Sequence, residues 1–313
     1  MHLEIFSLIG GDQRRGKEIA QKLGADARGV GLLLNALTAM GLLTKCDDLY
    51  GNTTEAKTFL VKESAEYIGH IIMHHHHLVH AWAQLRQAVV TGKPVRKRSS
   101  FGEGEERESF LMGMFNLAML MAPELVRQVD LEGRHRLLDL GGGPGTYAVH
   151  FCLANPSLRA TIYDLPTTRP FALRTIHRFN LSHRIDFLAG DYVEDNVTGI
   201  YDVVWLSHIL HGEGPATCKR IIAKAVSALE PGGLICVHDF ILDNAFDGPL
   251  FPALFSLNML INTEDGRSYS EAEITEMLHN AEVKEIRRMP FRGPNDSGII
   301  SGTVSGQAMK TPE

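Results

Sequence analysis

The 313-residue sequence is poor in cysteine: Cys46, Cys152, Cys218 and Cys236 stand singly among apolar neighbours, with no CxxC pair. That excludes a disulfide-stapled secreted scaffold and a cysteine-rich zinc module, and it reads as reduced thiols in a cytoplasmic protein. Basic charge is also scarce, 31 Lys and Arg against 37 Asp and Glu for a net charge of −6, so no nucleic-acid partner is expected. No apolar run reaches membrane length. The longest, FLMGMFNLAMLMAP, is broken by Asn116 and reads as a buried helix, so no membrane partner is expected either. The opening MHLEIFSLIGG lacks the basic region that a secretory leader places ahead of its apolar core. Internal repeats and low-complexity tracts are absent. What remains, 44% hydrophobic and 22% charged residues, is the composition of a globular protein long enough for two domains.

From residue 16, GKEIAQKLGADARGVGLLLNALTAMGLL repeats apolar residues at helical spacing, breaks at Gly24-Ala25-Asp26 and resumes. Short extended pieces follow near residues 42–43 and 50–52, a winged-helix pattern. A DNA-reading helix needs Lys and Arg for phosphates, but residues 27–40 carry only Arg28. The segment therefore reads as a protein-contact module, its apolar helix covered by a second copy of the chain. Domain boundaries are expected at 1–92 for this module, 93–130 for a linker and pocket-walling helices, and 131–313 for a second domain. Within the linker, TGKPVRKRSSFGEGEER reads as a polar hinge, with Arg96-Lys97-Arg98 a solvated loop. Beyond it, short apolar runs at 136–140, 160–163, 185–189, 201–206 and 234–239 alternate with amphipathic segments. The fold class is α/β: a doubly wound, Rossmann-like parallel sheet with helices on both faces, behind a mostly α N-terminal domain.

The first of those strands runs into LLDLGGGPGTY. A glycine-rich turn between strand and helix lets backbone approach a nucleotide-like ligand closely. A dinucleotide fingerprint would place its last glycine where Thr146 or Ala148 stands, and a phosphate loop would end in Gly-Lys-Ser/Thr, which is missing. The pattern present, Asp139-x-Gly141-x-Gly143-x-Gly145, suits a ligand with an ammonium group to receive and no pyrophosphate to hold. The second strand ends in IYDLP, where Asp164 suits two ribose hydroxyls. The third leads to AGDYVED, where Asp191 suits an adenine amino group and Tyr192 a flat lid.

From LLDLGGGPGT through YDLP, GDYVED and DVVWLSHILH to ALEPGGLICVHDF, the chain resembles class I S-adenosylmethionine-dependent methyltransferases. With its winged helix, it resembles the plant and bacterial small-molecule O-methyltransferases that include caffeate and hydroxyneurosporene methyltransferases. The resemblance implies S-adenosylmethionine as cofactor, a homodimer, and an N-terminal domain that helps to close the acceptor pocket. It adds Leu165 and Ser207 to the cofactor-binding set of Asp139, Gly141, Gly143, Asp164, Asp191 and Tyr192.

In that family a histidine after the acidic loop is the catalytic base, and His211 takes its place. A phenol with a pKa of about 10 is a poor nucleophile until its proton leaves, and a neutral imidazole suits that task. Asp239, ending LICVHD, is the expected carboxylate behind it and matches a glutamate in many members. His208 reads as pocket wall. No metal is expected, because neither histidine has a third ligand at a recognisable spacing. Two departures stand out: Gly212 and Glu213 follow the histidine where the family often has Asp and Trp, and Ser268 replaces a helper glutamate of plant members, with Glu264 nearby. Six of fifteen histidines lie between His70 and His80. His74 and His77 are read as pocket-lining, with metal chelation by the run as the alternative. Met112, His208, Phe255, Asn258, Met259 and Asn262 complete the expected acceptor site, for a small, apolar, aromatic hydroxyl compound. Nitrogen or carbon methylation, non-methyl chemistry and a small-molecule-sensing winged-helix regulator remain the alternatives.

Overall fold

In a computed structural model of the chain, residues 1–98, 100, 102 and 104–305 are described. They divide into two units, Met1–Leu78 with Glu103–Asn116, and Val79–Gly102 with Leu117–Glu313. The division falls near residue 78 and inside a long helix.

In the first unit the helices Gly16–Leu23 and Ala27–Ala39 meet where expected. Gly24 ends the former in a left-handed conformation (φ +59°), and Asp26 caps the latter by accepting from Gly29 N at 2.8 Å. Strands β1 (Gln13–Arg15), β2 (Leu43–Cys46) and β3 (Leu49–Asn52) form an antiparallel sheet in the order β1-β3-β2. Ile9, Ile19 and Leu34 are fully buried in its core, while Leu32 (58% exposed) and Met40 (69%) are left outside it. Asn116 interrupts the apolar run for a reason: its Nδ2 donates to Tyr67 O at 2.7 Å. The helix that holds it, Gly104–Leu125, is longer than the apolar run alone. Continued to Gln128, it is long and apolar enough to cross a membrane by length and composition, although Leu111, Phe115, Ala122 and Leu125 on it are buried in protein.

The second unit is built on seven strands. They are β4 (Arg136–Leu140), β5 (Arg159–Asp164), β6 (Ile185–Ala189), β7 (Tyr201–Ser207), β8 (Leu229–Phe240), β9 (Val283–Arg292) and β10 (Ser297–Val304). Their order is β6-β5-β4-β7-β8-β10-β9. Both faces are covered, and β7 shows how: Val203 and Trp205 enter one core while Val204 and Leu206 enter the other. The chain winds outward from β4 through β5 to β6, then returns to place β7 on the other side of β4. That reversal opens a crevice at the carboxyl ends of β4 and β7, where open α/β sheets bind ligands. The sheet is not wholly parallel as expected, since β10 runs antiparallel to both β8 and β9.

Candidate active site

Beyond β4 the chain turns through Gly141, Gly142, Gly143 and Gly145 before the helix Thr146–Ala154. Gly141 (φ +68°), Gly143 (+53°) and Gly145 (+81°) are left-handed, a conformation that a Cβ makes costly. At Gly141 the space is closed too: a Cβ would lie 2.5 Å from Ile209 Cδ1 and 3.2 Å from Tyr192 Cε1. Bare backbone is thus presented at the mouth of the crevice.

Asp139 is not at that mouth. It is wholly buried beneath the turn, where Oδ2 accepts from Ala148 N at 3.3 Å and Oδ1 has no hydrogen-bond partner. It underpins the turn from below. Burial pushes its carboxyl up to about 7, with the Ala148 N–H pulling weakly the other way. Because the folded value lies above the unfolded one, the folded state holds the proton more tightly. Its contribution to stability therefore declines as pH rises from about 4 to about 7. Asp139→Asn should flatten the Tm–pH curve across that window; superimposable wild-type and variant slopes would show that Asp139 is not the source.

Asp164, at the tip of β5, accepts from Gly143 N (2.8 Å), Leu165 N (2.7 Å) and Thr168 Oγ1 (2.7 Å). It binds the glycine turn to its own loop, and Thr168 is a partner that no sequence motif marked. Asp191 Oδ1 accepts from Val193 N at 2.8 Å, while Asp191 N donates to Asp195 Oδ2 at 2.9 Å. This closed turn fixes Tyr192 against Gly141. Burial pushes the Tyr192 phenol up to about 12, and its hydrogen bond with Arg98 partly offsets that. Ser207, expected beside the cofactor, engages His238 Nδ1 at 2.9 Å. His238 is fully buried, and burial holds its imidazole well below the ordinary value.

β7 ends at Ser207, and His208 turns the chain in a left-handed conformation (φ +55°) into the short 3-10 turn Leu210–Gly212 that carries His211. The β7–β8 register sets Ser207 opposite His238, bringing Asp239 to the same strand ends. His211 Nδ1 lies 2.6 Å from Asp239 Oδ1, and His211 N donates to Oδ2 at 3.3 Å. Phe240 N completes the set, donating to Oδ1 at 2.8 Å. Asp239 is 3% exposed; burial opposes its ionisation, but His211 and His208 outweigh it and hold the carboxyl below the usual carboxylate range. With Nδ1 turned to Asp239, the His211 ring keeps Nε2 for another partner. His208 Nδ1 stands 3.5 Å from the same Oδ1. Nitrogen atoms of His208 and His211 and a carboxylate oxygen of Asp239 all lie within 4.8 Å of one another, a grouping that sequence spacing alone did not reveal.

Rings close around this group. The Phe255 centroid is 4.8 Å from that of His211, Phe240 is 4.4 Å from His208, and Phe251 is 4.9 Å from Phe240. Phe251 lies in the segment expected to wall the acceptor site, whereas Phe240 was not among the expected acceptor residues, although it directly follows Asp239. On the helix Leu250–Asn262, Asn262 Nδ2 donates to Asn258 O (2.6 Å) and approaches Asn258 Oδ1 (3.3 Å), and Met259 is buried. His74, His77 and Met112 belong to the first unit, where His74 is buried with its ring 5.4 Å from Phe110. Glu264 is exposed, and Ser268 is buried, its backbone N donating to Ser256 Oγ at 3.2 Å while its own Oγ has no hydrogen-bond partner.

Arg98 corrects the reading of a solvated basic loop. Its guanidinium pairs with Glu213 and donates to Gly212 O at 3.3 Å, and a Cβ on residue 212 would overlap it. This accounts for Gly212 and Glu213: one leaves room for the cation and the other neutralises it. Glu213→Gln removes the one carboxylate paired with a half-buried guanidinium, which keeps only Gly212 O and Tyr192, and should cost about 1.5–3 kcal/mol, read as a lower Tm that Arg98→Met largely restores. An unchanged Tm in Glu213→Gln would mean that the pair adds nothing.

Residues 82–283 match the family model described as the O-methyltransferase domain, and residues 1–62 match the O-methyltransferase dimerisation domain. The chain is 34% identical to 3-hydroxy-5-methyl-1-naphthoate 3-O-methyltransferase of Streptomyces sahachiroi, over 95% of this chain and 88% of that protein. It is 31% identical to the tetracenomycin polyketide synthesis 8-O-methyl transferase TcmO of Streptomyces glaucescens, over 96% and 90%. Among solved structures, PigF with SAH, a protein of Serratia sp., superposes with a TM-score of 0.85 at 27% identity, covering 96% of this chain and 93% of that one.

Proposed function

Because the chain belongs to the family of S-adenosylmethionine-dependent O-methyltransferases that act on small molecules, we propose that His211, oriented by Asp239, is the general base that deprotonates an aromatic acceptor hydroxyl. The observation that carries this reading is the 2.6 Å bond between His211 Nδ1 and Asp239 Oδ1. It fixes the tautomer that keeps the Nε2 lone pair for a proton and stabilises the imidazolium once that proton arrives.

The cofactor is S-adenosylmethionine, which supplies a methyl group on a sulfonium sulfur. The residues present fit it: a turn whose Gly141 and Gly143 present no Cβ, a buried Asp139 Oδ1 without a partner beneath that turn, and carboxylates at the ends of two adjoining strands. Asp164 holds the turn in shape through Gly143 N. Phe240, Phe251 and Phe255 offer an apolar, water-poor wall beside His211, which suits a flat aromatic acceptor. The names of the two Streptomyces relatives, which act on a naphthoate and in tetracenomycin synthesis, support the same class. Homodimerisation through the winged-helix-like first unit is supported by the dimerisation-domain match and by exposed Leu32 and Met40. A cytoplasmic enzyme without nucleic-acid or membrane partners belongs to the same reading; only Arg28 among residues 27–40 is basic.

Calorimetric titration of untagged protein with S-adenosylmethionine, with NAD as control, followed by transfer of labelled methyl to phenolic acceptors, tests this reading. Binding of S-adenosylmethionine alone, and label on the acceptor oxygen, are expected. Label on nitrogen or carbon would overturn the assignment of a hydroxyl acceptor.

A further inference from the structure

General-base chemistry leaves His208, beside the dyad, without a task. Its Nδ1 is buried with no hydrogen-bond partner, 3.5 Å from Asp239 Oδ1. Its backbone is held at φ +55°, a conformation unfavourable for a residue with a Cβ and one that concentrates at functional sites. Opposite it, His211 Nδ1 lies 2.6 Å from the same oxygen. Two imidazole nitrogens therefore converge on one carboxylate oxygen, all three ligand atoms lying within 4.8 Å. A zinc ion with ligands at about 2.0–2.2 Å in tetrahedral geometry separates its donor atoms by a little over 3 Å, so the cluster needs only small side-chain adjustments to accept one. The carboxylate is also braced from outside by Phe240 N at 2.8 Å and His211 N at 3.3 Å, as metal-bound carboxylates commonly are.

We propose that His208, His211 and Asp239 form a transition-metal site, suited to Zn²⁺, whose occupation switches the enzyme off. Two nitrogen donors and one carboxylate are a borderline set that selects zinc over magnesium or calcium. The switch follows from tautomer chemistry and rests on His211 being the base. In the active form Nδ1 carries the hydrogen and Nε2 the lone pair. A metal binds Nδ1 only through a lone pair there, so the Nδ1–H bond breaks, its proton leaves, and one proton adds to the Nε2 lone pair, with no net change in proton number. Nε2 then becomes a donor and accepts nothing from the acceptor hydroxyl. His208 binds through the Nδ1 lone pair of its Nε2–H tautomer, and the fourth position stays open to water.

Direct metal binding tests this. Untagged, EDTA-treated full-length protein is titrated with Co²⁺, followed by visible spectroscopy, and with Zn²⁺ in equilibrium dialysis. Both are done in a background where exposed His75, His76 and His80 are replaced by Gln, to remove adventitious chelation by that helix. One equivalent of bound metal is expected, together with intense Co²⁺ bands of tetrahedral type. Affinity should fall at least tenfold in His208→Gln and in Asp239→Asn, with folding checked by circular dichroism and S-adenosylmethionine binding. Turnover should fall in step with Zn²⁺ occupancy and return with EDTA. Less than a tenth of an equivalent bound, or binding unaffected by His208→Gln, overturns the site. The two readings fail separately: stoichiometric metal here with full turnover in His211→Ala would overturn the base and its switch while leaving the site. No metal here with turnover lost in His211→Ala would remove the site alone.

Discussion

His211→Ala is expected to bind S-adenosylmethionine as the wild type does and to lose about 10²–10⁴-fold in kcat with a phenolic acceptor, the range for a positioned acid–base group. Binding should survive because His211 sits on the 3-10 turn Leu210–Gly212, apart from the glycine turn and the carboxylates that follow β5 and β6. Turnover should not, because the acceptor oxygen attacks poorly while it keeps its proton. Asp239→Asn should produce a large part of the same loss. An amide has no charge to stabilise the imidazolium, and its NH₂ competes as a donor for Nδ1, which disturbs the tautomer that leaves Nε2 free. Label transfer under saturating cofactor measures both, and wild-type turnover in His211→Ala would remove His211 from the mechanism.

Gly141→Ala carries the second large effect, a loss of cofactor affinity of tenfold or more. A left-handed alanine costs about 1–2 kcal/mol in backbone energy. Its Cβ must also displace Ile209, whose Cδ1 would be 2.5 Å away and whose side chain is 3% exposed in the core. Since cores resist such expansion, the turn moves instead, and with it the Gly143 N–H that Asp164 holds. Gly143→Ala separates the two causes, because Gly143 is also left-handed but a Cβ there meets nothing within 4 Å. Its Tm should fall less than that of Gly141→Ala. Equal Tm losses together with unchanged S-adenosylmethionine titrations would contradict the crowding argument.

The parts of the fold legible in the sequence were those whose signal is local. The strands β4 to β8 each carry a short apolar run, buried almost throughout in β4 and β7, and a Gly-rich turn after the first of them marks the binding edge. β9 and β10 were not legible for physical reasons. VKEIRRMPFR is a charged edge strand containing Pro290, and SGIISGTV is diluted by glycine and serine, so neither gives a clean alternation or a solid apolar run. Asp239 could be joined to His211, 28 residues earlier, only through the neighbouring order of parallel strands, which the doubly wound pattern does fix. Arg98 could not be joined to Glu213 that way, because it lies on an irregular segment whose path no periodicity dictates. For Asp139, sequence shows an acid before a glycine turn, while only packing shows that the turn closes over it. The unmet Nδ1 and left-handed backbone of His208 are properties of coordinates alone, which no spacing marks.

The most direct test of His211 as general base is the His211→Ala penalty on kcat measured across phenolic acceptors of graded pKa at one pH. If His211 removes the proton, the penalty is greatest for weakly acidic phenols near pKa about 10 and shrinks towards unity for phenols already ionised at the assay pH. A penalty that is the same for every acceptor would show that His211 shapes the pocket and does not move the proton.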